Sequence, residues 1–385
     1  MKIYYITRSY NIDITIDTTC VGIRNDYVTN LRKKYAVTVV TPNYDHDEIV
    51  VRDDLILVPS NLQRYDHYFE VFGIYEDYLE RWVKQCFDVM KDIITQEDVI
   101  FATSGGELAC IKLAYMIKKH IGCKMVINFH DPVIYTIVNG KMIGGWKHAP
   151  RERLMIKYAS NSDYIITSSI SYRDILKSKM PEISEKIENI YFGFRGEFIT
   201  RQKHIRTSRC DGVKLVYAGS MTDAQQAEVF MKLHGNKTGI QIDYVGVPSK
   251  TIKELADQYA NISLLPQMNR DQYLEYMFDE ADVGLVSLAG KEWGACVPSK
   301  IYELINLETP ILGILPNGDA KDIINSGFGK ASNRHDKRQC DRDLDFILNS
   351  DNRKVIAEKM HRCKREWSEG HFFRRVYEVI DCLNS

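Results

Sequence analysis

The chain has 385 residues, 51 Lys and Arg against 52 Asp and Glu, a formal charge of -1 and 44% hydrophobic residues. At about 100–200 residues per domain this length predicts two domains, or three, each with ample core. Charged residues at 27% and aromatics at 11% exclude a disordered chain or a coiled coil, and the balanced charge excludes a globally basic nucleic-acid coat.

The opening residues run straight into a strand pattern, and Arg8, Asp13 and Asp17 interrupt any apolar leader core. The longest apolar runs, such as residues 310–316, are too short to span a bilayer. The expectation is a cytoplasmic protein, with the inner face of the membrane as a place of contact. Nine cysteines occur without a CxxC pair, which fits reduced core thiols. The ten histidines show neither HExxH nor HxxxH spacing, so no metal site is expected.

In chain order, strands are predicted at residues 3–7, 37–41, 55–59, 99–103, 125–129, 164–167 and 187–191. Several are continuous Val/Ile/Leu runs, as in strands buried on both faces of a parallel sheet. The polar stretch 201–212 (RQKHIRTSRCDG) reads as a linker. The pattern then restarts at 214–218, 240–245, 262–265, 283–287 and 311–315. Two such βαβ halves predict an α/β fold of two Rossmann-like, doubly wound domains facing a cleft. The boundaries expected are residues 1–200, the linker 201–212, residues 213–365, and a C-terminal helix from 366 to 385. The helical pattern over 352–383 divides near Glu369-Gly370 and either caps its own domain or packs on the first.

Ligands of open parallel sheets bind at the carboxyl ends of strands, where helix N-termini offer free N–H groups. Four turns fit that place. The first is Cys20-Val21-Gly22-Ile23-Arg24, with Arg24 either a surface or a cleft arginine. In the second, Thr103-Ser104-Gly105-Gly106-Glu107, the small residues serve close packing or phosphate contact equally well. His130-Asp131 follows a strong strand, and His130 reads as a structural or a functional histidine. The fourth is Tyr217-Ala218-Gly219-Ser220. Neither GxGxxG nor GxxxxGK[ST] occurs.

The segment from Ala295 to Leu312 (ACVPSKIYELINLETPIL) is the most informative. Pro298 and Ser299 start a helix, so Lys300 falls in its first turn, where the helix dipole disfavours a cation unless an anion binds. Glu303 either pairs with Lys300 one turn on or accepts hydrogen bonds from a ribose diol.

Pro298-Ser299-Lys300, Glu303 and Thr309-Pro310-Ile311-Leu312 resemble the C-domain motif of GT-B glycosyltransferases, near the retaining family 4 group and its bacterial surface-polysaccharide branch. Val21-Gly22-Ile23-Arg24, His130-Asp131, Tyr217-Ala218-Gly219-Ser220 and residues 273–288 extend the resemblance over most of the chain. It implies a nucleoside diphosphate sugar donor, UDP-linked by preference, with no cofactor and no metal. The donor would meet Gly219, Ser220, Gly246, Gln267, Pro298, Ser299, Lys300 and Glu303. His130, Asp131 and Lys300 would serve catalysis, and Gly22, Arg24 and Gly105 the acceptor side. The acceptor implied is a glycan or lipid-linked glycan, and nucleic acid is not a partner.

Three departures stand out: Ala295 occupies the position of a first glutamate, Gly22 stands where a glycine pair is usual, and Ser220-Met221-Thr222-Asp223 lacks a basic pair. Asp45-His46-Asp47 is formally a DxD, in a polar loop. Between Lys112 and Lys157, Lys118, Lys119, Lys124, Lys141, Lys147, Arg151 and Arg153 are opposed locally only by Asp131 and Glu152, a mixture with apolar residues that would suit an anionic membrane face or a solvated one. The reading is a hexosyl- or aminohexosyl-transferase; a nucleotide-sugar epimerase of the same fold and a non-catalytic binding homologue stand as alternatives.

Overall fold

The computed structural model describes residues 1–10, 19–133, 136–138, 141–143, 148–201, 203–206, 212–219 and 224–383. They pack as two compact units, Met1–Ile190 with Phe373–Ser385, and Tyr191–Phe372.

In the first unit β1 (Ile3–Ile6), α1 (Thr19–Arg32), β2 (Val37–Asn43), β3 (Val50–Val51), β4 (Leu55–Pro59), α2 (Asp66–Val71), α3 (Glu80–Met90), β5 (Val99–Gly105) and α4 (Ala109–Ile121) come first. Then follow β6 (Lys124–Asp131), the small hairpin β7 (Thr136–Val138) and β8 (Lys141–Ile143), α5 (His148–Ala159), β9 (Tyr164–Thr167), α6 (Ile170–Lys179) and β10 (Ile187–Asn189). The sheet order is β10-β9-β6-β5-β1-β2-β4-β3, parallel throughout except β3 against β4. Ile3, Val39, Ile100 and Val126 are fully buried, as residues of central strands covered on both faces must be. Each such side chain contributes about 1.5–3 kcal/mol over its exposed state.

The second unit contains β11 (Val213–Ala218), α7 (Glu228–His234), β12 (Ile240–Val245), α8 (Lys250–Gln258), β13 (Ile262–Leu265), α9 (Arg270–Asp279), β14 (Val283–Ser287) and α10 (Ser299–Asn306). β15 (Ile311–Ile314), α11 (Asp319–Ile323), β16 (Gly329–Ser332), α12 (Lys337–Leu348) and α13 (Ser350–Cys363) complete the alternation, and α14 (Glu369–Cys382) ends it. Its sheet, β13-β12-β11-β14-β15-β16, pairs parallel throughout. Two doubly wound parallel sheets, as the apolar runs predicted, are therefore present. Short polar residues start the helices: the Ser249 hydroxyl accepts from Ile252 N–H, and Asn269 forms a reciprocal capping box with Gln272.

Packing divides the chain at 190/191, and the described part of the polar stretch 201–212 lies within the second unit. There Lys203 is buried, its ammonium donating to the carbonyls of Met277 and Phe278 at 2.8 Å each. A cation closing the C-terminus of α9 satisfies carbonyls that the helix itself cannot.

The C-terminal helical stretch breaks at residues 364–368, where a tight turn (Lys364–Trp367) precedes extended Ser368. Glu369-Gly370 instead opens α14, with the Ser368 hydroxyl accepting from His371 N–H at 3.2 Å. Within the second unit this break is stitched to residues 193–196: Phe194 N–H donates to the Trp367 carbonyl at 2.6 Å, and Glu369 N–H to the Phe194 carbonyl at 2.9 Å. Gly193 has φ +76°, and a Cβ there would stand 2.5 Å from the Ser368 carbonyl carbon, so only glycine fits the seam. From Phe373 onward α14 belongs to the first unit. Phe373 meets the Tyr27 ring edge-on at 5.0 Å, the Tyr377 hydroxyl donates to the Asn30 carbonyl at 2.7 Å, and Arg375 pairs with Glu188.

The basic stretch of the first unit is opposed by acids brought from elsewhere in the chain. Lys112 pairs with Glu76 and Glu80, both at 2.7 Å, Lys118 with Asp163, and buried Arg151 with Glu70 and Asp77. Lys147, Ile134, Tyr135 and Trp146 lie outside the described residues, and nothing is described of the side chains of Ile137, Val138, Lys141, Met142 and Ile143. No described helix is long and apolar enough to cross a membrane.

Candidate functional site

In the second unit the carboxyl ends of β11, β12 and β13 step across one edge of the sheet. Gly219 and Gly246 follow β11 and β12 with φ of +131° and +141°. A Cβ on Gly246 would lie 2.9 Å from the Gly219 carbonyl oxygen, and one on Gly219 would lie 2.7 Å from Lys300 Nζ. Gly219 lets the lysine sit directly on the backbone, and Gly246 lets its own turn close on the Gly219 carbonyl. Tyr244 locks the step, its hydroxyl donating toward the carbonyls of Gly219 (3.2 Å) and Val247 (3.1 Å).

Lys300 arrives from the first turn of α10. Pro298 precedes the helix at φ -60°, ψ 132°, and no side chain caps its free N–H groups. Lys300 Nζ rests 4.1 Å from the centre of the Tyr217 ring, which stacks on Tyr244 with centroids 5.8 Å apart. Among the described residues no carboxylate comes within ion-pair distance of it. Burial therefore pushes its pKa down to about 8, with nearby Glu303 opposing the shift.

The i,i+3 pair between Lys300 and Glu303 is not formed. Glu303 Oε1 instead faces Arg270 Nη2 at 3.8 Å and its carboxylate accepts from the Tyr273 hydroxyl. Arg270 is fixed in turn by the Arg195 carbonyl at 2.8 Å. Burial raises the Glu303 pKa, while Arg270, Lys300 and Arg195 pull it back. Ser299 is half-buried at the helix start, and Gln267 is exposed in the loop after β13. Ser220 lies outside the described residues. Ala295 is buried, so its position offers no carboxylate.

The first unit gathers a different set at the ends of β1, β5 and β6. The β5–β6 register shifts at Ser104/Gly105, which places Gly105 opposite Asp131. Glu107, just beyond, is fully enclosed: Oε2 accepts from Gly105 N–H at 2.8 Å and faces Arg8 Nε at 3.3 Å, while Oε1 faces Arg24 Nη2 at 3.7 Å. Arg24 is accordingly a buried arginine of α1, not a surface one, and a Cβ on Gly105 would stand 2.9 Å from its guanidinium. Gly22 is buried one turn-step earlier on the same helix.

His130 stacks on Tyr27 with centroids 5.8 Å apart, and its carbonyl accepts from Ser168 Oγ at 2.7 Å. Burial first, then the positive fields of Arg24 and Arg8, hold its imidazole well below the usual histidine range. Burial raises the Asp131 pKa, with Arg24 opposing it. Asp45, His46 and Asp47 are exposed in a turn organised by Asn43, whose Oδ1 accepts from His46 N–H at 3.2 Å.

Sequence reasoning missed Glu107, Arg8, Arg270 and Tyr273. Arg270 was accessible to the argument that found Lys300, since it too is a cation in the first turn of a helix. Tyr273 and the pairing of Glu107 depend on tertiary proximity and leave no local signal.

No family model matches the chain, and no curated protein does. Solved structures do match in fold. One described as trehalose-6-phosphate from E. coli bound with UDP-2-fluoro glucose superposes with a TM-score of 0.69 at 10% identity, covering 98% of this chain and 99% of that one. A trehalose-6-phosphate synthase studied with bisubstrate glycomimetics of glycosyltransfer with retention gives 0.71 at 10% identity, covering 99% of each chain. The Anabaena protein Alr3699/HepE in complex with UDP gives 0.67 at 10% identity, covering 99% of this chain and 100% of that one. The fold is thus the two-domain GT-B fold of glycosyltransferases.

Proposed function

We propose that the protein is a glycosyltransferase that moves a hexose or aminohexose from a nucleoside diphosphate sugar, UDP-linked by preference, to a glycan or lipid-linked glycan. The observation that carries this reading is Lys300: a partly desolvated ammonium, with no carboxylate at ion-pair distance among the described residues, over the Gly219 backbone at an uncapped helix start. Such a group is suited to a diphosphate.

In the reaction, the bond from the sugar C1 to the diphosphate oxygen breaks and negative charge grows on the leaving phosphate. Lys300, with Ser299 and the α10 N–H groups, would stabilise that charge. The departing phosphate oxygen accepts the proton of the acceptor hydroxyl, whose oxygen bonds to C1 on the same face, so configuration is retained and no protein nucleophile is required. Glu303, oriented by Arg270 and Tyr273, would accept both ribose hydroxyls. Neutral His130 is suited to hydrogen-bond a sugar hydroxyl from the first unit, and Gly22, Arg24 and Gly105 shape the acceptor side there. The reading places the protein in the cytoplasm or at the inner face of a membrane.

The test begins with melting curves against UDP, GDP, dTDP and CDP, because a ligand of the folded state must raise the melting temperature. The stabilising nucleotide then selects the sugar donors for turnover. Acceptor-dependent release of the nucleoside diphosphate, with an α-linked product from an α-linked donor, is the expected result. Conversion of the donor to an epimer without acceptor would overturn the proposal in favour of the epimerase. Binding without turnover across donors and acceptors would leave a non-catalytic homologue, the reading that Ala295 favours.

A further inference from the structure

Arg334 follows β16 by two residues and stands half-buried at the carboxyl edge of the second sheet. Its Nη1 donates to Gln226 Oε1 at 2.6 Å. Nε and Nη2, on the other edge of the guanidinium, are shut from solvent. Among the described residues they meet no hydrogen-bond acceptor, and no carboxylate comes within ion-pair distance. A buried donor left unmet loses its bonds to water and gains nothing in return. Two adjacent N–H groups on one edge of a guanidinium form the fork that closes parallel hydrogen bonds on a carboxylate or phosphoryl group.

The sheet register brings this edge toward the seat of Lys300. Ser287, Ile314 and Ser332 lie level across β14, β15 and β16. Arg334 reaches back over that row, because Gln226 belongs to a segment tied to the end of β14. Ser287 Oγ donates to the Gln225 carbonyl at 2.5 Å, and Ala289 N–H to the Ala224 carbonyl at 2.7 Å. The strand beside β14 is β11, which ends at Gly219, where Lys300 sits. Neighbouring strands are about 4.8 Å apart, so the two cations are held at the ends of adjacent strands. Between Gly219 and Glu228 the sequence has no Lys or Arg, and the guanidinium that reaches this segment comes from beyond β16.

We propose that Arg334 is a second cation of the donor site, its Nε–Nη2 edge taking an oxyanion of the nucleoside diphosphate sugar: a phosphoryl group of the diphosphate, or the carboxylate of a hexuronate donor. This rests on the sugar-transfer reading and adds to it a residue far in sequence from Lys300 and Glu303. The test is calorimetric titration of the unaltered protein, Arg334→Gln and Arg334→Lys. The probes are whichever of UDP, GDP, dTDP and CDP raises the melting temperature, and its hexose and hexuronate esters. Both variants bind about tenfold more weakly, because lysine keeps the charge and loses the fork. A loss already present with the bare nucleoside diphosphate assigns the diphosphate, and a loss confined to the hexuronate ester assigns the sugar carboxylate. Without ligand, the melting temperature of Arg334→Gln stays level or rises, since an unmet donor edge is removed. Unchanged affinity of Arg334→Gln for all three probes overturns the assignment and leaves the sugar-transfer reading standing. A clear fall in its melting temperature, with affinity retained, makes the side chain structural and also overturns it. Failure of the unaltered protein to bind any of the nucleotides overturns the sugar-transfer reading and this assignment with it.

Discussion

Both units put cations at the carboxyl ends of parallel strands, and they handle them oppositely. In the first, Arg8 and Arg24 converge on the enclosed carboxylate of Glu107, so each guanidinium has an acidic neighbour within the protein. In the second, Lys300 lies against a ring and a glycine, and the neighbouring carboxylate is held by Arg270. The first arrangement fixes shape: Glu107 ties the loop after β5 to α1 and to the end of β1. The second leaves an ammonium with no acid at ion-pair distance among the described residues, a place that an anion can complete. A cation's position on a sheet edge is therefore a weak sign of a ligand site until its own counter-charge has been traced.

The sharpest way to break this contrast is Glu107→Ala. It removes the one carboxylate that Arg8 and Arg24 both face and should cost about 3 kcal/mol of unfolding free energy, read by denaturant titration. Lys300→Ala removes a desolvated cation and should leave stability unchanged or improved, while nucleoside diphosphate affinity falls about 30–100-fold by calorimetry, as expected for a charge-assisted contact worth about 2–3 kcal/mol. Equal losses of stability in both variants would erase the distinction. Gly219→Ala forces a side chain into a left-handed backbone and against Lys300 Nζ, so affinity should fall about tenfold with a stability loss of about 1–2 kcal/mol. The smallest effect is the pH profile. Because the Lys300 pKa is lowered to about 8, its ammonium form is full below that value and lost above it. Affinity should hold up to about pH 8 and then weaken severalfold by about pH 9, a dependence absent in Lys300→Ala.

The parallel strands were legible because burial on both faces requires unbroken apolar runs, as in residues 99–103 and 283–287. β16 was not, since Gly329-Lys330-Ala331-Ser332 is an edge strand with little β preference and takes its pairing from β15. In the candidate site, Lys300 was legible through a local conflict between its charge and the helix dipole. The state of Arg24 was not, because α1's pattern places it on the apolar face without revealing that Glu107 awaits it there. The burial of Asp66 and Glu70 on α2 escaped for the same reason, these acids being drawn inward by Arg81 and Arg151.

The seam between residues 193–196 and 367–369, with the return of α14, has a consequence for how the chain is made. Everything in the second unit leaves the ribosome before Phe373 does. Phe373 packs on Tyr27, and Tyr27 on His130, so the wall beside that histidine is finished last. A nascent chain halted at residue 372 would carry a complete second sheet and, in the first unit, a Tyr27 ring without the Phe373 that packs on it.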